Sequence, residues 1–301
     1  MSSTLSVAVK SYPHTAFAAE PGFSVGRRRV ELAAVDPIYQ AFAPMVRELR
    51  YDVSEMAIAT FLQAHEAGVP IVLLPLVLSG DFHHHSLTRW PGSAEIRPTD
   101  LAGGRVAVRA YSQTTGLWVR GILHEEFGVD AKDITWVTTE EPHVASYVEP
   151  PNVERVPGKV LDVLERGDAV AAVLGPPALD GAQGPLVPII PNWREAEESW
   201  GARHGTVPIN HMLTVRRDLL ESEPEVVREL YRAFGAGIEE RKAADAAPGP
   251  RVRALRSGVG DELTAGLQTA IDYALQQNVI RKPVTVDELL HDAVRHLGER
   301  A

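Results

Sequence analysis

Short apolar runs at Leu5–Val9 and Val30–Val35 open the chain, each with the length and composition of a strand. DVSEMAIATFLQAHEAG, from Asp52 to Gly68, then reads as one helix: Asp52 and Glu55 have the spacing of a capping box, and Gly68 stands where a left-handed C-terminal cap belongs. Val69–Leu78 is an apolar run long enough for a buried strand. From about Asp100 the pattern becomes regular. Arg105–Ala110 predicts a strand, and GLWVRGILHEEFG predicts a helix with Trp118, Val119, Ile122, Leu123 and Phe127 on one stripe, ended by Gly128. Strands follow at Ile134–Val137, Ala169–Leu174 and Leu186–Ile190, with a short helix at Lys159–Glu165. Past Gly205 come a strand at His211–Val215 and a helix opened by Pro224, with Val227, Leu230, Phe234 and Ile238 at helical spacing. Ala243–Pro250 reads as a linker, and helices are predicted near Asp261–Asn278 and Val286–Leu297.

Alternating strands and helices imply an α/β fold with a parallel sheet covered on both faces. The order fits two lobes. A regular α/β lobe, 100–205, is inserted into a lobe built from 1–99 and 206–301, with crossings near Pro98–Leu101 and Gly205–Asn210. Ligands of such sheets bind where the carboxyl ends of strands face a crevice, here expected between the lobes.

Composition narrows the function classes. With 301 residues, 45% hydrophobic and 23% charged, the chain can bury a sizeable core. Its formal net charge of -10 argues against a nucleic-acid footprint, and the Arg27–Arg29 run is too short to reverse this. A small anion stays compatible, because local Arg, His and backbone N–H groups can hold it. The absence of cysteine excludes disulfides, thiolate-bound metals, a cysteine nucleophile and a cysteine-linked lipid anchor. The first residues lack a basic stretch followed by an apolar run, and no segment approaches the ~18 apolar residues of a membrane span. The expectation is a cytoplasmic protein with neither membrane nor nucleic-acid partner; homo-oligomerisation stays open.

Four segments carry candidate chemistry. In RAYSQTTG, Arg109–Gly116, a strand runs through a polar turn into a helix start, where free N–H groups, Ser112, Gln113 and Thr114 suit a carboxylate and Arg109 can clamp it; ordinary N-capping with Arg109 in a surface pair is the plainer alternative. In FHHHS, an extended backbone puts His83 and His85 on one face and His84 on the other, enough to bind an anion, move a proton or hold a divalent metal, or simply to make a polar loop. TTEEPHV follows a strand and offers Glu140, Glu141 and His143 for acid–base work, or a solvated acidic turn. VPINHM sets Asn210 and His211 at the second crossing, facing the cleft or filling a turn and the core. Gly175 opens GPP at the end of a buried strand, as a tight turn or a close backbone approach to ligand. GxSxG, Walker A, GxGxxG and HExxH are all absent, so nucleotide cofactors have no support.

RYDVSEMAIATFLQA (Arg50–Ala64), DLAGGRVAVRAYSQTTGLWVRGIL (Asp100–Leu123), DITWVTTEEPHV (Asp133–Val144) and PINH (Pro208–His211) together resemble the 4,5-dihydroxyphthalate decarboxylase-like family, related to the substrate-binding proteins of ABC transporters. The similarity runs from about residue 5 to 240, and the last sixty residues carry little of it. It implies a two-lobed type-2 periplasmic-binding-protein-like fold, with either cofactor-independent decarboxylation of a hydroxylated aromatic acid or solute binding; another small-molecule lyase on the same scaffold is a third alternative. By matching position it implies Arg50, Asp52, Ser54, Glu55, Arg109, Ser112, Gln113, Thr114, Glu140, His143, Asn210 and His211 as cleft residues. The family's Phe-Arg-His stretch corresponds to His83-His84-His85, so a permanent charge is missing at His84. On this resemblance His85 or His211 would deliver or accept the proton, Glu140 would orient a histidine or act as an acid, and Arg109 with the Ser112–Thr114 terminus would hold a small anionic aromatic substrate.

Overall fold

In a computed structural model that describes residues 4–175 and 186–298, the chain forms two mixed sheets, one in each lobe of an α/β fold. The first sheet contains β1 (Thr4–Ala8), β2 (Ser24–Val25), β3 (Arg28–Leu32), β4 (Val53–Ala57), β5 (Ile71–Gly80), β12 (Ile209–Arg216) and β13 (Arg256–Ser257), in the order β13-β5-β12-β4-β1-β3-β2. The second contains β6 (Leu87–Arg89), β7 (Arg105–Val108), β8 (Thr135–Thr138), β9 (Val153–Arg155), β10 (Ala171–Val173) and β11 (Val187–Pro188), in the order β11-β6-β10-β7-β8-β9. The parallel sheet expected from the βαβ pattern is present in the pairs β10–β7 and β7–β8, and β9, which the pattern does not predict, adds to β8 in parallel. It does not predict the antiparallel pairs around β12 and β6, which join segments distant in sequence.

Because β6 belongs to the second sheet, the chain leaves the first sheet between Gly80 and Leu87, earlier than the expected Pro98–Leu101. It returns to the first sheet just before Ile209. The two crossings touch: Asp81 N donates to Pro208 O at 3.2 Å, and a Cβ on Gly80 would lie 2.5 Å from that carbonyl oxygen. Only glycine lets the two segments approach so closely here. The expected GPP turn reaches beyond the described residues after Gly175.

The segment Asp52–Gly68 is not one helix. Val53–Ala57 is β4, and the helix α2 covers only Ile58–Glu66. Asp52 does not cap it; its carboxylate accepts from Ser6 N at 2.9 Å and fixes the start of the β1–β4 pairing. All five residues of β4 are buried, Glu55 included, because β1 and β12 flank the strand on either side. Gly68 does adopt the left-handed conformation, at φ 72°. Pro75 sits within β5 where the register against β12 shifts between Met212↔Val77 and Thr214↔Leu73, so its missing N–H falls at an irregularity.

Helices complete the layers. α3 (Thr114–Phe127) runs back from the end of β7, and Gly128 ends it at φ 66°. The helix Pro224–Ala243 lays Val227, Leu230, Phe234 and Ile238 on the outer face of the first sheet, each buried and contributing roughly 1.5–3 kcal/mol of hydrophobic stabilisation. The helix Asp261–Gln276, expected within the first lobe, packs on α2 and also on α3 and Trp193–His204. It fastens the two lobes together behind the cleft.

Candidate functional site

The carboxyl ends of β1, β4, β5, β7 and β10 and the start of β12 open on a cavity of about 620 Å³ between the two sheets. This is where an open α/β sheet holds its ligand. Ten of the residues singled out from sequence line it: His83, His85, Arg109, Ser112, Gln113, Thr114, His143, Gly175, Asn210 and His211.

Two buried carboxylates each hold a cleft histidine. On the first sheet, Glu55 Oε1 lies 2.6 Å from His211 Nδ1. Glu55 is fully buried and also accepts from the Tyr12 hydroxyl at 2.8 Å and from Lys10 N at 2.9 Å. Three donors satisfy a carboxylate that would otherwise be costly so deep in the protein. Burial, and secondarily the Glu55 charge, push the Tyr12 hydroxyl far above its ordinary range, so it stays a donor. With Nδ1 engaged, Nε2 is the nitrogen His211 presents to ligand. At the first crossing, His85 Nδ1 lies 2.6 Å from Glu197 Oε1, and its ring rests on Trp193 with centroids 5.2 Å apart.

Two further histidines are held differently. His143 Nδ1 is 2.8 Å from Thr60 Oγ1, and its ring meets Phe42 edge-on, as the His211 ring does. Arg47 donates to the Pro142 and His143 carbonyls, which ties the helix Phe42–Glu48 to the loop after β8. His83 Nε2 is 2.7 Å from Asn210 Oδ1, a bond between the two crossings. Burial pushes both rings down from 6.5 to about 4, helped at His143 by Arg109 and Arg47. Both are therefore neutral at pH 7. For His83 the folded protein holds the proton more weakly than the unfolded chain. Stability should fall as pH drops below 6.5 and level off near 4. At pH 5 the loss from His83 is about 2 kcal/mol. Urea titrations at pH 7 and pH 5 measure the difference, and His83→Gln, which cannot titrate, should shrink it.

Two helix N-termini point at the same space. The N-cap residues Ala57 and Gln113 make no side-chain cap, and the N–H groups of both first turns have no acceptor within their own helix. Thr114 Oγ1 takes Ala59 N at 3.3 Å, so the termini meet. Arg109 stacks on Tyr39 at 3.9 Å and gives Nη1 to Glu140 at 2.8 Å, which keeps further guanidinium donors for a ligand. Lys10, Arg241 and Arg251 also line the cavity, against Asp36 and Asp81. Four Lys or Arg side chains thus line the cleft of a protein of net charge -10, three of them with a carboxylate partner: Glu140 on Arg109, Asp245 on Arg241 and Asp81 on Arg251.

Seven expected residues lie elsewhere, among them Glu141, which is exposed and 3.8 Å from Arg155. Arg50 is exposed and pairs with Glu48. Asp52 serves the β1–β4 edge, and Ser54 is buried with its hydroxyl on the Glu55 carbonyl. Glu55 backs the cleft through His211 rather than lining it. Glu140 engages Arg109, not a histidine, because the turn after β8 projects it beside the end of β7. His84 faces away: its Nε2 is 3.2 Å from Glu126, without hydrogen-bond geometry. His84 does not line the cavity. The stretch around His84 is a 3-10 turn rather than extended, and His83 and His85 serve different partners. Among the described residues no group of three or more His, Asp or Glu is placed to hold a metal ion. No helix of the described residues is long and apolar enough to cross a membrane.

The sequence did not single out Lys10, Tyr12, His14, Tyr39, Thr60, Glu197, Arg241 or Arg251. The first three carry one available signal: they directly follow the carboxyl end of the first strand, where parallel sheets collect ligand contacts.

No protein-family model matches the chain. Two curated relatives are both named 4,5-dihydroxyphthalate decarboxylase. The one from Comamonas testosteroni is 28% identical over 229 residues, covering 68% of this chain and 68% of the relative. The one from Pseudomonas putida is 28% identical over 171 residues, covering 53% of this chain and 64% of the relative. Similar solved structures include the alkanesulfonate-binding protein SsuA from Xanthomonas axonopodis pv. citri bound to MOPS, with TM-score 0.57, 15% identity and 96% and 98% of the two chains covered. The periplasmic aliphatic sulphonate-binding protein SsuA of Escherichia coli gives 0.59 at 14% identity, covering 96% and 92%. The desulfurization enzyme DSZB gives 0.51 at 17% identity, covering 97% and 99%. The chain is thus similar in sequence to two proteins named 4,5-dihydroxyphthalate decarboxylase and shares the two-lobed α/β fold of the SsuA sulfonate-binding proteins.

Proposed function

We propose that the protein is a lyase that removes CO2 from a hydroxylated aromatic carboxylic acid held between its lobes, with no cofactor required. The observation that carries this is the coincidence, in one cavity, of a buried Glu55–His211 pair with a cradle for an anion. The names of the two curated relatives support the reaction class.

Decarboxylating an arene requires a proton at the ring carbon that bears the carboxylate and electron density to stabilise the protonated ring. The α3 terminus and Arg109 hold the carboxylate. His211, oriented by Glu55, delivers a proton from Nε2 to that carbon. The carbon–carboxylate bond then breaks, its electron pair restores the ring, and CO2 leaves. The proton lost by His211 is replaced from solvent. A ring hydroxyl supplies electron density, and neutral His143, when its Nδ1–H is given to Thr60, offers Nε2 as acceptor for that hydroxyl. His85, backed by Glu197, is the second proton-transfer group of the cleft. Closure of the lobes positions the ring and excludes water.

A panel of hydroxybenzoates and hydroxyphthalates, incubated with the purified protein with and without EDTA and followed by mass spectrometry, tests the proposal. The expected result is CO2 and the decarboxylated arene from at least one member, unaffected by EDTA. Turnover lost to EDTA and restored by a divalent ion would overturn the cofactor-free mechanism. Tight binding without turnover would favour the second reading, a small-anion binding protein, which the SsuA likeness keeps on the same cradle.

A further inference from the structure

Arg120, on α3, is fully buried, yet among the described residues it has no carboxylate partner. Its Nε donates to Gln277 Oε1 at 2.7 Å and its Nη2 to the Tyr111 carbonyl at 2.6 Å. The guanidinium lies 4.0 Å over the Tyr111 ring and 5.2 Å from that of Trp136, and Nη1 has no acceptor. Buried arginine charge is costly without an anion beside it. Among the described residues the other buried guanidinium, Arg256, has Glu262 at 3.1 Å.

The location of Arg120 accounts for the difference. Tyr111 immediately precedes Ser112–Thr114, the loop that opens into the cleft. A Cβ on Gly116 would lie 3.0 Å from Arg120 Nη1, so the charge sits directly beneath the first turn of α3. There it adds to the partial positive charge of the helix terminus, in an interior where charges are felt over several ångströms. Its bond to the Tyr111 carbonyl also fixes the loop. A carboxylate at the terminus would be the counter-ion that the protein itself does not supply.

We propose that Arg120 is a positioning residue: its uncompensated buried charge, and its hold on the loop before α3, set the preference of the cleft for an anionic over a neutral ligand. This rests on the reading that a carboxylate sits at the α3 terminus.

The test compares binding of 4-hydroxybenzoate and 4-hydroxybenzamide by calorimetry. Wild type should prefer the acid. Arg120→Met should weaken acid binding about ten-fold and leave the amide within about two-fold. Gln277→Glu, which puts a carboxylate against Arg120 at the loss of the Gln277 donation to the Leu117 carbonyl, should act the same way and serves if Arg120→Met fails to fold. Arg120→Lys should keep the preference. A purely structural role would weaken acid and amide together. If wild type prefers the acid and both Arg120→Met and Gln277→Glu retain that preference, the proposal fails while the anion cradle stands. If wild type shows no preference for the acid, the cradle reading itself fails and takes this proposal with it.

Discussion

His211→Asn is expected to lower kcat by about 10²–10⁴-fold while changing ligand affinity little. Asparagine fills similar space and its amide can still donate to Glu55, which lies 2.6 Å from His211 Nδ1. It cannot carry a proton to a ring carbon. The fully buried Glu55 keeps Tyr12 and Lys10 N as partners, so the strand that carries it should hold. Glu55→Gln is expected to act in the same direction more weakly, because it leaves the imidazole but loses the acceptor that orients it. Steady-state kinetics alongside ligand titration separates the two effects: a rise in KM with unchanged kcat would mean that His211 only binds.

The largest effect on stability is expected from Gly121→Ala. An added Cβ would lie 2.0 Å from two ring carbons of Tyr273, well inside van der Waals contact. Tyr273 has little room to move. It is 7% exposed, its hydroxyl is held by Glu125 and Trp200, and its ring meets Trp118 edge-on. Since Gly121 is on α3 and Tyr273 on Asp261–Gln276, the substitution forces apart the contact that fastens the lobes behind the cleft. A loss of about 3 kcal/mol is expected, or roughly 6 °C in melting temperature for a chain of this size. Gly249→Ala, where nothing lies within 4 Å, is the control and should change little. Thermal melts of the two variants beside wild type measure the difference.

Local pattern and tertiary contact divide what the sequence could reveal. Pro224–Ala243 and Val286–Leu297 were legible because each buries one apolar stripe, while Thr114–Phe127 was legible from its apolar content and the Gly128 stop, although it is buried all round between 116 and 123. The Asp52–Gly68 segment was not. Glu55, Met56 and Ala57 favour a helix yet occupy β4, and its strand state depends on β1 and β12, which lie about two hundred residues apart in sequence. A glutamate in the middle of a fully buried strand is the strongest functional signal in that segment, and the capping-box pattern concealed it. Much of the cleft was legible because its residues follow strand ends or sit at a crossing: Arg109, Ser112, His143, Asn210 and His211. Glu140 follows a strand as well, but its side chain turns to Arg109. Glu197, Arg241 and Arg251 come from three helices far along the chain, and only packing brings them near the site.

The most direct test of the account is single-turnover incubation in D2O, using whichever hydroxylated aromatic acid binds the wild-type cleft most tightly. The product is examined by mass spectrometry and proton NMR. Release of CO2 with one deuterium at the vacated ring carbon is predicted. Recovery of the bound acid with its carboxylate intact would contradict a decarboxylase and leave a binding protein.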